Sequence, residues 1–481
     1  MESLNTYRLI RKEAAACLDR PAIVEPGGRA VTYCELFALV ESLAVTLSQR
    51  GIGAYNRVGL VLDNSIEYVA LSLAVLSLDA AIVPVSPEHT PEEVEKVMRS
   101  IGVGHVLYEE GGPYDMAGRD ALTVSESGRK VMLAATGLEE GDMPEGYDEI
   151  TPAFIRFSSG TTGESKGVVL SHSSIAERTD AADAGLNITS SDSVLWLLSM
   201  SFHFVVTILL FLRRGACIVL CHEAFPEALL RGIREHSGNV IYAAPYHYDM
   251  LSTSDEVTAA ALNNIRLAIS TTVKLPDAIA DKFESKFGFP LTEAYGIIEV
   301  GLPFVGVRKR GPEGAGNLGK PLPAYEISID SPDESGTGEI LLRGPGMLEA
   351  YYDPWQRRGE VLQGGWFRTG DLGRLSDEGE LFIVGRRKNV INFSGMKIFP
   401  YEVEEVINSF PGVRESMVYP EEHSIYGQLP MAKVVAEEGE EPDMRALRRY
   451  CYRRLAQYKA PKGFELVREL PRTKSGKLLR H

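Results

Sequence analysis

Residues 157–168 bring together three glycines (Gly160, Gly163, Gly167), the hydroxyls of Ser158, Ser159, Thr161, Thr162 and Ser165, and the amine of Lys166. A loop of this make-up can wrap backbone N–H groups around phosphate oxygens, offer hydroxyls as donors or Mg2+ ligands, and set a lysine against the charge. It follows directly on Ala153-Phe154-Ile155-Arg156-Phe157, which reads as a strand. A Walker A loop is excluded by spacing: five residues separate Gly160 from Lys166, and Gly167 stands where that loop requires Ser or Thr. Taken by itself the string could also be a flexible hairpin loop.

Four further strings follow in order. They are Glu293-Ala294-Tyr295-Gly296-Ile297-Ile298-Glu299, then Thr369-Gly370-Asp371-Leu372, then residues 385–402 with Arg386, Lys388, Ser394, Gly395 and Lys397, and finally Pro471-Arg472-Thr473-Lys474-Ser475-Gly476-Lys477. Each alone is ordinary: a core aromatic, a common turn, a solvated basic turn, a basic tail. As an ordered set with the first loop, they resemble the signature of the acyl- and aryl-CoA synthetase, luciferase and peptide-synthetase adenylation-domain superfamily, and the resemblance spans nearly the whole chain.

That resemblance implies an AMP-forming acid–thiol ligase. ATP would lie on Ser158, Ser159, Gly160, Thr162, Gly163 and Lys166, with Mg2+ on Glu299 and Thr161. Tyr295 would stack on adenine beside Gly296, and Asp371 would accept from the ribose hydroxyls, with Arg386 near the nucleotide. Lys388 would be a hinge, Ser394 and Gly395 would border the channel for the pantetheine arm of coenzyme A, and Lys477 would serve adenylate formation. A carboxylate would attack the α-phosphorus of ATP, displacing pyrophosphate. Two anions must meet, so positioning and positive charge supply most of the catalysis. Rotation about Lys388 would then admit a thiol. Coenzyme A is the expected acceptor; an acyl carrier protein's phosphopantetheine uses the same motifs and stays open, and a non-catalytic nucleotide-binding protein is a third reading.

The expected acid is a small-molecule carboxylic acid, fatty or aryl. Ser199-Met200-Ser201-Phe202-His203-Phe204-Val205-Val206 occupies the place of an acyl-pocket motif in such proteins, with His203 shielding or positioning the acyl group. Amino-acid-activating relatives carry an aspartate near here, and this segment has none; a buried unpaired ammonium would cost several kcal/mol. The pocket therefore reads as apolar with an aromatic gate, Val206, Ala243, Ala244 and residues 300–304 being further candidates. Two departures fall on the nucleotide wall. Ile298 replaces the usual threonine, forfeiting roughly 1.5–3 kcal/mol if a bond to a charged group is lost. Ser270-Thr271-Thr272-Val273-Lys274-Leu275 replaces Ser-Gly-Gly-Ala-Pro-Leu.

The elements that must position these groups alternate in type. Residues 33–50 and 67–78 carry helical apolar stripes, 57–62 and 81–85 read as strands, and Thr90-Pro91-Glu92-Glu93 opens a helix with an N-cap, an early proline and a capping-box glutamate. Alternation of this kind implies an α/β fold with parallel sheets. Residues 109–150 turn Gly- and Glu-rich and read as exposed linker. Residues 301–385 suggest a β-rich subdomain, and a small α+β unit follows. The expected division is a large domain over 1–384, a hinge at 385–389 and a mobile small domain over 390–481.

Composition narrows the setting. At 481 residues the chain exceeds one ordinary core, which stops growing near roughly 250–300 residues. A net charge of -16 argues against nucleic acid as the main ligand. Five cysteines without C-x-x-C spacing read as reduced thiols, Cys217 and Cys221 as strand packing, and the start lacks a signal peptide, so the expected location is cytoplasmic. Residues 194–212 imitate a membrane span in length, about 17–25 residues being needed; Ser199, Ser201 and His203 interrupt the run, so a strand leading into a buried helix is expected and no membrane span. Oligomeric state is not legible.

Overall fold

The computed structural model describes residues 4–112, 114–116, 119–124, 129–138, 143–157, 166–307, 316–393, 396–423, 426–472 and 478–479. Two large sheets dominate. The first runs Gly301–Gly306, Thr292–Ile297, Leu267–Ser270, Val240–Ala243, Ser193–Trp196, Cys217–Leu220, Pro21–Val24, Ala30–Thr32, parallel except at its two edges. The second has nine strands with a parallel centre of Pro152–Phe157, Ala81–Pro84, Arg57–Val61 and His105–Glu109. Between them lies Ile66–Ser77, a helix buried from Ile66 to Leu76 on every face, which only an all-round apolar sequence tolerates. One core joins Ile23, Val194 and Ile218 of the first sheet to Val58, Leu60 and Ile82 of the second.

Local signals explain the helices. Pro91–Ile101 begins with Thr90 and Glu93 capping each other reciprocally and ends at Gly102 with φ 62°, the left-handed stop that glycine supplies. Residues 194–212 divide as expected into the strand Ser193–Trp196 and helical turns from Met200 to Arg213. No helix of the described residues is long and apolar enough to cross a membrane. Cys217 and Cys221 are free and buried in and beside a strand.

The linker expected at 109–150 is corrected. Arg119–Leu122 is an edge strand of the nine-stranded sheet, and Val131–Ala135 lies between it and His105–Glu109, antiparallel to both. Val131 is fully buried and Leu133 nearly so; the five-residue apolar strand was hidden between Gly- and Glu-rich turns too short-ranged to reveal its partner.

A five-stranded sheet follows, ordered Asn317–Gly319, Leu381–Arg386, Phe367–Leu375, Gly338–Arg343, Glu326–Asp330. Beyond it Ile391–Phe393, Met396–Ile398, Val413–His423, Gly427–Ala436 and Gly463–Leu466 form a last sheet. The helices Pro400–Asn408 and Met444–Arg454 pack there, over a separate apolar cluster that includes Ile391, Val403, Val418 and Leu447.

Candidate active site

The strands on either side of the candidate phosphate loop, Pro152–Phe157 and Gly167–Ser171, pair antiparallel up to Phe157 and Gly167. Ser158, Ser159, Gly160, Thr161, Thr162 and Gly163 lie outside the described residues, as do Ser394, Gly395 and Lys477. Lys166 is described: its Nζ is 3.2 Å from Oε1 of Gln356 and 4.9 Å from the centre of the Tyr351 ring. The Tyr351 hydroxyl donates to Oε1 of Glu299 at 3.3 Å. One tyrosine thus stands between the lysine and the acid that the sequence placed 133 positions apart by number, from 166 to 299.

Glu299 follows the strand Thr292–Ile297, and its own carbonyl accepts from the Leu348 N–H at 2.8 Å. Burial holds its carboxyl above the usual range, opposed by hydrogen bonds and by the charges of Arg386 and Arg156. Among the described residues no three His, Cys, Asp or Glu converge as a metal cage. A single enclosed carboxylate suits Mg2+, which binds one or two carboxylates and completes its shell with phosphate oxygens and water; the donor set fits.

Asp371 is 4% exposed and doubly engaged. Oδ1 lies 2.6 Å from Nε of Arg386, and Oδ2 accepts from the Tyr295 hydroxyl at 2.6 Å. Register explains the first contact, because Asp371 and Arg386 are partners across Phe367–Leu375 and Leu381–Arg386. Burial, then the Asp371 charge, push the Tyr295 phenol well above its ordinary value. Gly296 sits at an irregularity in the pairing of Thr292–Ile297 with Gly301–Gly306, where a Cβ would meet the Gly301 carbonyl oxygen at 2.3 Å; no other residue fits without moving backbone. Lys388 lies in the short turn Arg387–Asn389 between Leu381–Arg386 and Ile391–Phe393. Among the described residues its Nζ is enclosed without a hydrogen-bond partner, and burial with the neighbouring Arg386 lowers its pKa.

His203 ends the turn Met200–His203, with its ring 6.3 Å from that of Trp196. The structure thus brings Lys166 and Glu299 together through Tyr351, and Tyr295, Asp371 and Arg386 into direct contact. Tyr351 and Gln356 were not singled out from sequence, because nothing in their spacing sets them apart. Nor was Arg156, whose Nη1 donates to the Phe202 carbonyl and whose guanidinium lies 5.1 Å over the Phe202 ring. A charge alternating with apolar residues in a strand was the available signal.

The departures have local accounts. The Ile298 carbonyl accepts from Arg178 at 3.0 Å, so its backbone is fixed whatever its side chain lacks. Thr271 donates to the Ala294 carbonyl at 3.1 Å. Thr272 has φ 79°, a left-handed backbone that β-branched residues rarely take and glycine takes freely. Lys274 of the same segment pairs with Glu405 and lies 5.8 Å over Tyr401, both on Pro400–Asn408.

This architecture is the two-domain fold of adenylate-forming enzymes. Residues 10–352 match the AMP-binding enzyme family and residues 402–477 the AMP-binding enzyme C-terminal domain. The chain belongs to the AMP-binding enzyme family, whose relatives here are AMP-forming ligases. It is 28% identical to 4-coumarate–CoA ligase 5 of Oryza sativa subsp. japonica, over 98% of this chain and 92% of that protein. It is 28% identical to the long-chain-fatty-acid–CoA ligase FadD13 of Mycobacterium tuberculosis, over 98% and 96%. ATP-bound MatB from Rhodopseudomonas palustris superposes with a TM-score of 0.83 at 25% identity, covering 98% of this chain and 97% of that one. o-Succinylbenzoate CoA synthetase from Bacillus subtilis, in complex with its acyl-adenylate intermediate, gives 0.81 at 26%, covering 98% and 96%.

Proposed function

We propose that the chain activates a fatty or aryl carboxylic acid as its acyl-adenylate and transfers the acyl group to coenzyme A. The observation that carries this is the joint placement of Lys166 and Glu299 on Tyr351, with Tyr295, Arg386 and Asp371 in contact alongside. Together they supply a cation for phosphates, a ligand for a hard metal, a ring for a base and a short carboxylate for ribose hydroxyls. Names of relatives that end in CoA ligase support the acceptor.

In the first half-reaction a carboxylate oxygen forms a bond to the α-phosphorus. The bond from that phosphorus to the bridging oxygen breaks, and pyrophosphate leaves with the electron pair. Lys166 and the loop 158–163 hold the departing phosphates, Lys477 bridges the carboxylate and α-phosphate, and Asp371 exchanges its present partners for the ribose. Mg2+, held on Glu299 and Thr161, offsets phosphate charge when bound. In the second, the thiol sulfur attacks the acyl carbon, AMP leaves with the carbon–oxygen bond pair, and the thiol proton passes to solvent. The small unit, 390–481, turns about Lys388 between the two steps, withdrawing Lys477 and presenting Ser394 and Gly395.

The test is acid-dependent exchange of pyrophosphate into ATP with a panel of fatty, aryl and short acids, followed by addition of CoA or an acyl carrier protein and mass measurement of the product. Exchange should collapse in Lys477→Ala; undiminished exchange there removes that role. A thioester on the carrier protein alone replaces coenzyme A as acceptor.

A further inference from the structure

Four arginines are held inside the large domain, and three are accounted for by their surroundings. Arg213 meets Glu13 at 2.8 Å and Asp180 at 2.9 Å. Arg178 donates to the carbonyls of Gly346 and Ile298 at 2.9 and 3.0 Å. Arg57 is fully buried and bonded to the Gly102 carbonyl at 2.9 Å; its Nη1 and Nη2 have no hydrogen-bond partner among the described residues, and the rings of Tyr147 and Tyr352, each 5.6 Å away, stand in place of an acid. Arg156 shares the lack of a paired acid with Arg57 and Arg178 but not their sealed setting. Its Nη1 bonds one carbonyl, that of Phe202, its Nε is enclosed without a partner, and among the described residues no carboxylate pairs with it. It also keeps part of its surface open, whereas Arg57, Arg178 and Arg213 are 0%, 0% and 3% exposed.

The location gives that vacancy in charge a meaning. Arg156 is in the strand that feeds the phosphate loop, on the same face as Phe154, since alternate residues of a strand share a face. That face looks into the core between the two large sheets, where Tyr68 and Phe204 lie. Phe202, on which the guanidinium rests, precedes His203 in the segment expected to line the acid pocket. Glu299 is the first charge acting on it. An enclosed cation without an anion is unfavourable and is relieved by a bound one, and a guanidinium fork matches a carboxylate with two parallel hydrogen bonds.

We propose that Arg156 is the receptor for a carboxylate of the acid substrate. This rests on the reading of the chain as an acid-activating ligase, and it replaces the expectation of a wholly apolar pocket. Two carboxylates could occupy it: the reacting group itself, or a second one on a dicarboxylic acid.

Matched acids separate these. Pyrophosphate exchange is measured on the full chain with hexanoate and adipate, and with benzoate and terephthalate, in wild type, Arg156→Met and Arg156→Lys. The acid KM is expected to rise about 10- to 100-fold in Arg156→Met, with the ATP KM unchanged, melting temperature preserved and partial recovery in Arg156→Lys. Equal losses within each pair place Arg156 at the reacting carboxylate; losses confined to adipate or terephthalate place it at a second one. A raised ATP KM with the acid KM unmoved, or a fall in kcat alone, overturns the proposal. Equilibrium titration of the same acids in the presence of α,β-methylene-ATP provides a readout without turnover. Acids that bind in an Arg156-dependent way without exchange would sink the ligase reading and leave the receptor standing; binding indifferent to Arg156→Met and Arg156→Lys overturns the receptor.

Discussion

The two ends of the site treat charge in opposite ways. At one, Asp371 is saturated, its two oxygens taken by Tyr295 and Arg386 at 2.6 Å each. At the other, Arg156 bonds one carbonyl and, among the described residues, pairs with no acid. A group already satisfied must exchange bonds to bind, so the net gain of an individual contact is modest; a group lacking its counter-charge gains more from the same number of contacts. On the proposed reading, the nucleotide end thus holds its shape without ligand, and the acid end is completed by one.

Beyond the Arg156 variants, the largest expected effect is at Asp371. Asp371→Ala should raise the ATP KM by about 10- to 100-fold, from the loss of charge-assisted bonds of roughly 1.5–3 kcal/mol, while the acid KM holds steady in pyrophosphate exchange. Equal rises in both would show that the ends are not separable.

Next comes a buried carboxyl on the strand that also carries Tyr295. Glu293 is 6% exposed, accepts from the Leu275 N–H at 3.1 Å, and burial raises its pKa to about 7, with that bond and Lys274 opposing. A folded-state pKa above the unfolded value means that its stabilising contribution is present below about pH 4.5 and is lost as pH climbs through about 7. Glu293→Gln should therefore melt a few degrees above wild type at pH 8, taking about 2–4 °C per kcal/mol, and show no such advantage at pH 5. A constant difference across that range would mean that the carboxyl does not titrate there.

The smallest effect belongs to the contact between the large domain and the helix Pro400–Asn408. Lys274 and Glu405 are partly exposed, so their pair is worth about 0.2–1 kcal/mol. Lys274→Glu should alter the ratio of exchange to thioester formation by about two- to five-fold, and the added exchange Glu405→Lys should restore it. Failure of the double variant to recover would mean that the pair does not bias domain position.

What was legible in the sequence was chemistry packed into short strings and helices that carry their own caps, such as Thr90 with Glu93. Those signals are local. The pairing of Asp371 with Arg386 depends on strand register, and Tyr351 bridges Lys166 and Glu299 only after the chain folds back, so neither could be seen as spacing. The strand Val131–Ala135 was missed for the same reason: its partners lie across turns whose composition spoke louder than five apolar residues. Arg156 was missed because one charge in a strand carries no periodicity.

One helical segment carries an extra residue in its turn. Phe204–Ile208 is a π turn, with the Leu209 N–H bonded to the Phe204 carbonyl five residues back. Such a turn holds one residue more than the α-helix around it. Deleting Val206 would return the segment to α register and swing Phe202 and His203 by about 100° against the rest of the helix. On the proposed reading of this segment as a wall of the acid pocket, loss of a single codon would thus re-index the residues that face the acid.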